Sequence, residues 1–399
     1  MAHLDWLIIG GGIHGVHLAA RLIGEADVQA DKVRIVDPGE QLLERWRHCT
    51  ATTGMTHLRS PSVHHLDLNP WSLQLTASEL RDRDPGLFAP PFDRPALGFF
   101  NDHCDQVIET FGLAELHVRA RAVACSIEGD GVKVGLSNEE QLTSDKVVLA
   151  LGASDQPEWP NWAPKGHARV HHIFAQGFAG WPAATERIAV VGGGISAAQV
   201  ALRLLDEGHQ VHLVSRHGLR KHQFDSDKGW LGPKYMNSFN RERDVDRRRA
   251  LINEARHRGS VPPEVHRPLR RAIESGKLQW HESGVEALDL QADRVVIQLA
   301  NGESIEAERV LLATGFAALR PGGELVDRLV TSESLSCAQC GYPIVDQALS
   351  WHPRVFVSGP LAELELGPTS RNIHGARRAG DRIVKVASAQ TAAREVSAS

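Results

Sequence analysis

The sequence predicts an α/β protein made of two parallel-sheet units of one plan, and three observations predict it. Two triplets of small residues, Gly10-x-Gly12-x-x-Gly15 and Gly192-x-Gly194-x-x-Ala197, each follow a short apolar run and precede an alanine-rich amphipathic stretch. About twenty residues beyond each triplet a second apolar run ends in a polar side chain suited to a ribose. Each half then closes on a similar strand-like run, so that Ala150-Leu151-Gly152 and Ala313-Thr314-Gly315 occupy matching places. Two Rossmann-like dinucleotide-binding domains, one inserted in the other, satisfy all three.

The first unit begins with the strand Leu7-Ile8-Ile9 and a helical pattern from Val16 to Ile23. Between them Gly10 permits a tight turn, Gly12 lets backbone approach a pyrophosphate and Gly15 lets helix and strand pack closely, with the ligand's charge at the positive helix end. His14 sits inside this fingerprint. The second run, Lys32 to Asp37, ends in a carboxylate, followed by Pro38, that accepts hydrogen bonds from both hydroxyls of an adenosine ribose, which suits FAD or NAD. Next comes a segment without clear period, Glu44 to Pro95, rich in His, Pro and Arg. A long irregular stretch in a compact chain is usually functional, and Arg59, His57, His64 and His65 lie in it. A helical stretch Asp102 to Phe111 precedes strand-like runs His117 to Ile127, Gly131 to Leu136 and Lys146 to Gly152, with turn signals at Gly129-Asp130-Gly131 and Ser137-Asn138.

A proline- and tryptophan-rich passage, Gln156 to Pro164, reads as a crossover. The second unit then repeats the order: strand Ile188 to Val191, fingerprint with Ile195 and Ser196 at the helix start, helix Ala197 to Leu205, and strand Gln210 to Arg216. This strand ends in Ser215 and Arg216, a hydroxyl and a guanidinium that can pair with a 2′-phosphate, which suits NADPH. In the insertion His217 to Pro268 the basic run Arg241 to Arg258 is interleaved with Glu242, Asp244, Asp246 and Glu254 and reads as a solvated helix face. Strand-like runs at Leu278 to Trp280, Gly284 to Leu290, Arg294 to Leu299 and Arg309 to Gly315 complete the unit. The chain returns to a buried strand, Val355 to Gly359, and a helix from about Pro368 to Ala387 with proline in its first turn.

Composition bounds the function. With 399 residues and 42% hydrophobic the chain affords two or three domains with real cores. A net charge of -5 gives no basic field for nucleic acid or an anionic membrane, and no run approaches the ~18 apolar residues of a membrane span. Five cysteines without a signal peptide point to a reducing cytoplasm. No metal-ligand constellation and no Ser/His/Asp or paired-carboxylate arrangement stands out; catalytic side chains are unassigned, and so is the oligomeric state.

These residues together resemble the flavoproteins with two dinucleotide-binding domains, and within them the flavin-containing monooxygenases and the amine N-hydroxylases of siderophore biosynthesis. The resemblance implies an FAD-binding domain of residues 1–158 and 311–399 and an NAD(P)H-binding domain of residues 159–310. It implies that Gly10, Gly12, Gly15 and Asp37 hold FAD, that Val123 meets the adenine through its backbone, and that Gly359 lies near the ribityl chain. Gly192, Gly194 and Ala197 would take the NADPH pyrophosphate. The segment Leu361 to Asn372, with Leu366, looks like the stretch that passes the flavin in N-hydroxylases. His14, Pro38, Arg59, Gly152, Ile195, Ser196, Arg216 and Gly315 complete the set of cofactor-binding residues. Two departures stand out: Lys165 to His172 only loosely echoes the Phe-x-Gly-x-x-x-His-Ser signature of flavin-containing monooxygenases, and Arg220 to Pro268 offers no match to N-hydroxylase substrate residues.

The implied activity is an NADPH-dependent, FAD-containing monooxygenase that hydroxylates a nitrogen of a small amine or amino acid through a peroxyflavin, with molecular oxygen and a small-molecule substrate as partners. The cofactor supplies that chemistry and the protein supplies geometry and a dry pocket. The alternative is an NAD(P)H-dependent flavin reductase passing electrons to a disulfide, quinone or protein, using Cys337-x-x-Cys340. That pair lies just before the last FAD strand, unlike the thiol pairs of known disulfide reductases, and reads as structural or incidental ahead of redox-active or metal-binding. A nucleotide sensor without hydride transfer is the third reading.

Overall fold

The computed structural model describes residues 3–80 and 86–398. Residues 81–85 of the irregular segment lie outside the described residues.

The first sheet runs Ser350–His352, Val355–Val357, Gln141–Leu149, Leu4–Ile9, Val33–Asp37, His117–Arg119 in spatial order. Leu4–Ile9 is parallel to both neighbours, with Ile8 facing Val148 on one side and Ile35 on the other. A parallel strand covered on both faces needs a continuous apolar run, and Leu7, Ile8 and Ile9 supply it. Ala122–Glu128 and Gly131–Leu136 form an antiparallel meander attached to Gln141–Leu149. Helix Ile13–Gly24 buries Val16, Leu18 and Leu22 completely, each contributing roughly 1.5–3 kcal/mol of apolar burial.

The second sheet, Leu278–Glu282, Gln210–Ser215, Arg187–Val191, Arg309–Leu312, Val170–His172, is parallel throughout. Helices Ile195–Asp206 and Pro263–Glu274 contribute Val200, Leu204 and Leu269 to the core on one face. The antiparallel ribbon Val285–Leu290, Val295–Leu299, Ser304–Ala307 packs Val295, Ile297 and Ile305 against Ala189, Val191 and Val310 on the other. All its strands fall in sequence between Gln141–Leu149 and Ser350–His352 of the first sheet. The doubly-wound plan is therefore used twice, one copy inside the other.

Several expectations are corrected. The segment 44–95 is not irregular throughout: it holds helices Glu44–Thr53 and Ser72–Leu80. Glu44–Thr53 buries only Thr50 and Thr53, so it lacks the apolar period that would announce it, and Gly54 ends it in the left-handed conformation. The run His117 to Ile127 is two strands, broken after Arg119. The insertion contains helices Pro233–Arg241, Val245–Ala255 and Pro263–Glu274. The last helix does not begin at Pro368: a single 3-10 turn, Pro368–Arg371, precedes Ile373–Ala398. Pro368 opens that short turn, and the helix proper runs further than its apolar period does.

Candidate cofactor site

Both fingerprints lie where a parallel strand passes into a helix. A Cβ on Gly10 would stand 2.5 Å from the carbonyl oxygen of Ala150, and one on Gly15 would enter the carbonyl oxygen of Gly10. The chain's own packing requires these two glycines. Gly12 differs, since a Cβ there meets nothing within 4 Å and its φ of -81° suits any residue. Nothing inside the protein demands glycine at position 12, and the space beside it is open. Gly12 is the N-cap of Ile13–Gly24 without a side-chain cap, and no acidic residue occupies the first turn. The helix end keeps free donors and positive potential for an anion.

Asp37 ends its strand beside this turn, its Oδ2 accepting from Gly11 N at 2.7 Å and its Oδ1 from Gly39 N at 2.9 Å. An ionised carboxylate has about four acceptor sites, so both oxygens retain capacity for ribose hydroxyls. Pro38 and Gly152 are exposed just past the carboxyl ends of the two strands that flank Leu4–Ile9. Val123 is 43% exposed on its strand. His14, in the first turn, reaches across the fold: its Nδ1 pairs with Ser358 Oγ at 2.8 Å, and its ring packs against Gly359, whose carbonyl accepts from Ser370 Oγ at 2.6 Å. Burial lowers the His14 pKa to about 4, against the opposing carbonyls of Arg371 and Asn372. The fingerprint, the strand end at Gly359 and the turn before the last helix thus meet around one neutral imidazole.

The second fingerprint repeats the geometry. A Cβ on Gly192 would enter the carbonyl oxygen of Ala313, while Gly194 faces only the Cα of Gly259 at 3.6 Å. Gly194 is again an N-cap without side-chain cap, with Ile195 and Ser196 opening an uncapped first turn. Ala197 is buried against Gly192. Arg216 stands exposed just past the strand and makes no ion pair or hydrogen bond among the described residues. Gly315 takes φ +83° where the chain passes back toward the first sheet.

Arg59 does not stand free. Its Nε donates to the carbonyl of Gln223 at 2.9 Å, and one Nη donates to the carbonyl of His222 and to Ser260 Oγ. It ties the first unit to the insertion. His64 and His65 are buried, their rings against His374 and His103 respectively, and burial brings their pKa values to about 4 and about 3. His57 remains on the exposed side. Among the described residues no group of three or more His, Cys, Asp or Glu could hold a metal ion, and no helix is long and apolar enough to cross a membrane. A groove of about 740 Å³ between His48, Thr52, Trp181 and Arg203 lies at the far end of helix Ile195–Asp206 from its fingerprint. Its polar groups already pair with one another, Trp181 Nε1 with Glu207 and Arg203 with Glu207 and the carbonyls of Ala51 and Thr52.

The basic run Arg241 to Arg258 is a solvated face only in part: Arg241, Arg243, Arg247 and Arg258 are exposed, while its other arginines turn inward. Arg249 and Arg256 reach Glu363, which is fully buried, and Arg371 completes a cage of three guanidiniums around one carboxylate. Arg248 and Arg382 do the same for Glu365 at 2.7 and 2.9 Å. Burial alone would raise the Glu363 pKa, but the hydrogen bond from Arg371 and the charges of Arg256, Arg371 and Arg249 outweigh it and bring it to about 2. The insertion is thereby clamped onto the segment 359–372 in which Leu366 is buried. Local pattern held no signal for this, because Glu363 meets Arg249 and Arg256 at separations of 114 and 107 residues. Cys337 and Cys340 are free thiols on a turn beside the same cage.

Residues 7–254 match the family described as pyridine nucleotide-disulphide oxidoreductase. An FAD-binding monooxygenase of Penicillium brasilianum is 23% identical over 245 residues, 54% of this chain and 34% of that protein, so the chain spans about a third of the length of this curated relative. Among solved structures the chain is similar to an ornithine N-hydroxylase of Kutzneria sp. 744, at 18% identity and a TM-score of 0.76 over 98% of this chain and 100% of the other. It is also similar to a bacillithiol disulfide reductase of Bacillus cereus, at 16% identity and a TM-score of 0.65 over 98% of this chain and 100% of the other. At these identities the likeness is one of fold.

Proposed function

The chain belongs to the pyridine nucleotide-disulphide oxidoreductase family, and from that premise we propose that it is an NADPH-dependent, FAD-containing monooxygenase that N-hydroxylates a small amine or amino acid in the cytoplasm. The observation that carries this reading is the pair of uncapped helix ends, each behind a glycine that internal packing does not require, with open space at Gly12 and only an ordinary contact at Gly194. Two dinucleotides fit two such cradles. FAD suits the first, where Gly12 and the helix start take the pyrophosphate and Asp37 the ribose. NADPH suits the second, where Gly194 takes the pyrophosphate and the unpaired Arg216 the 2′-phosphate. Bound and reduced, FAD supplies the activation of molecular oxygen that no side chain here can provide. The chain's part is to bind, orient and keep water out.

Support for oxygen over a disulfide as electron acceptor comes from the thiols. Between helix Ile13–Gly24 and the helix Leu97–Thr110 the sequence has one cysteine, Cys49, and not a pair. Similarity in fold to an ornithine N-hydroxylase solved with reduced FAD, NADP+ and L-ornithine supports nitrogen as the atom oxidised. The test is direct: NADPH and oxygen are supplied with a panel of amines and amino acids, and hydroxylamine product is assayed against peroxide released. Product from one substrate class establishes the reading. NADPH-dependent reduction of disulfides without any oxygenated product, abolished in a Cys337→Ser/Cys340→Ser variant, would establish the reductase instead.

A further inference from the structure

The stretch Cys337-Ala338-Gln339-Cys340-Gly341-Tyr342-Pro343 folds into a tight turn. Gly341 N donates to Ala338 O at 2.8 Å and Ala338 N to Tyr342 O at 2.9 Å, with Cys337 bridged to Pro343 and Gly341 at φ +77°. Cys340 is exposed and Cys337 half-buried, and neither is in a disulfide. Arginines also stand near Cys49, Cys104 and Cys337, but among the described residues Cys340 alone combines exposure with a guanidinium hydrogen bond to its sulfur: Arg249 Nε donates to its Sγ at 3.3 Å. The same guanidinium lies over the Tyr342 ring, 4.1 Å from its centroid, and holds Glu363. Burial works against the Arg249 charge, yet Glu363 and Cys340 outweigh it and raise its pKa. The turn is therefore wired to the buried carboxylate twice, through Arg249 and through Tyr342, whose hydroxyl accepts from Arg371 at 2.9 Å.

A thiolate is the attacking species in thiol oxidation, and an exposed cysteine beside a cation with a second cysteine nearby is the arrangement that oxidises selectively. We propose that Cys340 and Cys337 are a peroxide-responsive thiol pair that closes an intramolecular disulfide, withdrawing the Cys340 sulfur from Arg249 and loosening the clamp on Glu363. The Cys340 sulfur attacks one oxygen of a hydroperoxide, the O–O bond breaks, and a sulfenic acid forms as hydroxide or alkoxide leaves. Cys337 then attacks that sulfur and water leaves, its protons coming from the thiol and the medium. In all, two thiols lose two electrons and two protons, and one peroxide bond is reduced. A small dithiol reverses the change. The other cysteines make a built-in contrast: Cys104 and Cys125 are buried, with thiol pKa values pushed up by burial, to about 12 for Cys125, and Cys49 is half-buried with its pKa raised by burial.

The experiment uses the full chain and needs no turnover, so it stands or falls apart from the function proposed above. The protein is treated with hydrogen peroxide, free thiols are titrated, and the linked peptide is mapped. The expected result is a fall from five free thiols by two, a 337–340 disulfide, and recovery with dithiothreitol. Cys337→Ser should stop at a sulfenic acid on Cys340 that dimedone captures, and Arg249→Gln should slow modification of Cys340 several-fold. Modification of Cys49 ahead of Cys340 would overturn the proposal, as would five thiols surviving. Should Arg249→Gln fail to fold, the Cys337→Ser capture decides alone: no dimedone adduct at Cys340 overturns the proposal.

Discussion

Acid should unfold this protein through its buried histidines. His14, His64, His65 and His172 are 9%, 8%, 0% and 0% exposed, and burial lowers their pKa values from 6.5 to about 4, 4, 3 and 4. Most charges around them work the same way, Arg377 beside His64 and His65, His103 beside His65, and Arg45 beside His172, with Asp67 a weaker opposing charge at His65. Each imidazole takes up a proton below pH 6.5 when unfolded but stays neutral in the fold until near 4. Stability is therefore complete above 6.5 and is lost as pH falls through the window from 6.5 toward 4. By linkage, a histidine that remains neutral in the fold costs about 1.4 kcal/mol at about pH 5.5 relative to about pH 7.5. Four of them amount to on the order of 5 kcal/mol, comparable with the whole stability of a typical domain. Glu363 does not offset this, because its titration lies lower, near 2. Urea midpoints followed by tryptophan fluorescence at the two pH values measure it. Equal midpoints would refute the reasoning.

Gly12→Ala should keep the fold and lose bound flavin, whereas Gly15→Ala should not fold, because only the second Cβ collides with backbone; flavin content and circular dichroism of the two variants separate the cases, and flavin-replete Gly12→Ala would count against the cradle. Glu363→Gln leaves three guanidiniums without their carboxylate and should cost about 3–5 kcal/mol, read as a lowered urea midpoint; an unchanged midpoint would mean that the cage is not stabilising. Arg216→Ala should weaken NADPH binding by about 1.5–3 kcal/mol, the strength of a charge-assisted hydrogen bond, with NADH unaffected. Isothermal titration of both nucleotides decides it, and an unaltered preference would remove Arg216 from the 2′-phosphate.

The two parallel sheets were legible because their signal is local. Leu7 to Ile9 and Ile188 to Val191 are buried apolar runs, and Gly10, Gly15 and Gly192 sit where a Cβ would collide with backbone, so sequence and sterics say the same thing. Helix Glu44–Thr53 was not legible, because its apolar contacts are confined to Trp46 and Cys49, and much of its hold comes from Arg45 donating to the carbonyls of Ser154 and Phe174 and from Arg47 on Asp105. The cage around Glu363 was invisible for a related reason. Arginine spacing in Val245–Ala255 reads the same whether its partners are water or a carboxylate more than a hundred residues away. Arg59 likewise sits in the expected segment, but its partners are two backbone carbonyls and the Ser260 hydroxyl in the distant insertion, which no local pattern reveals.

The central claim is that two dinucleotides lie in the two cradles close enough for hydride to pass between them. The most direct measurement is an anaerobic titration of the flavin-bound protein with NADPH, followed by the visible absorbance of the oxidised flavin. The absorbance should be lost in proportion to NADPH added, one equivalent per flavin, and return when oxygen is admitted. Flavin that stays oxidised in excess NADPH, or a purified protein that cannot be loaded with flavin at all, would contradict it.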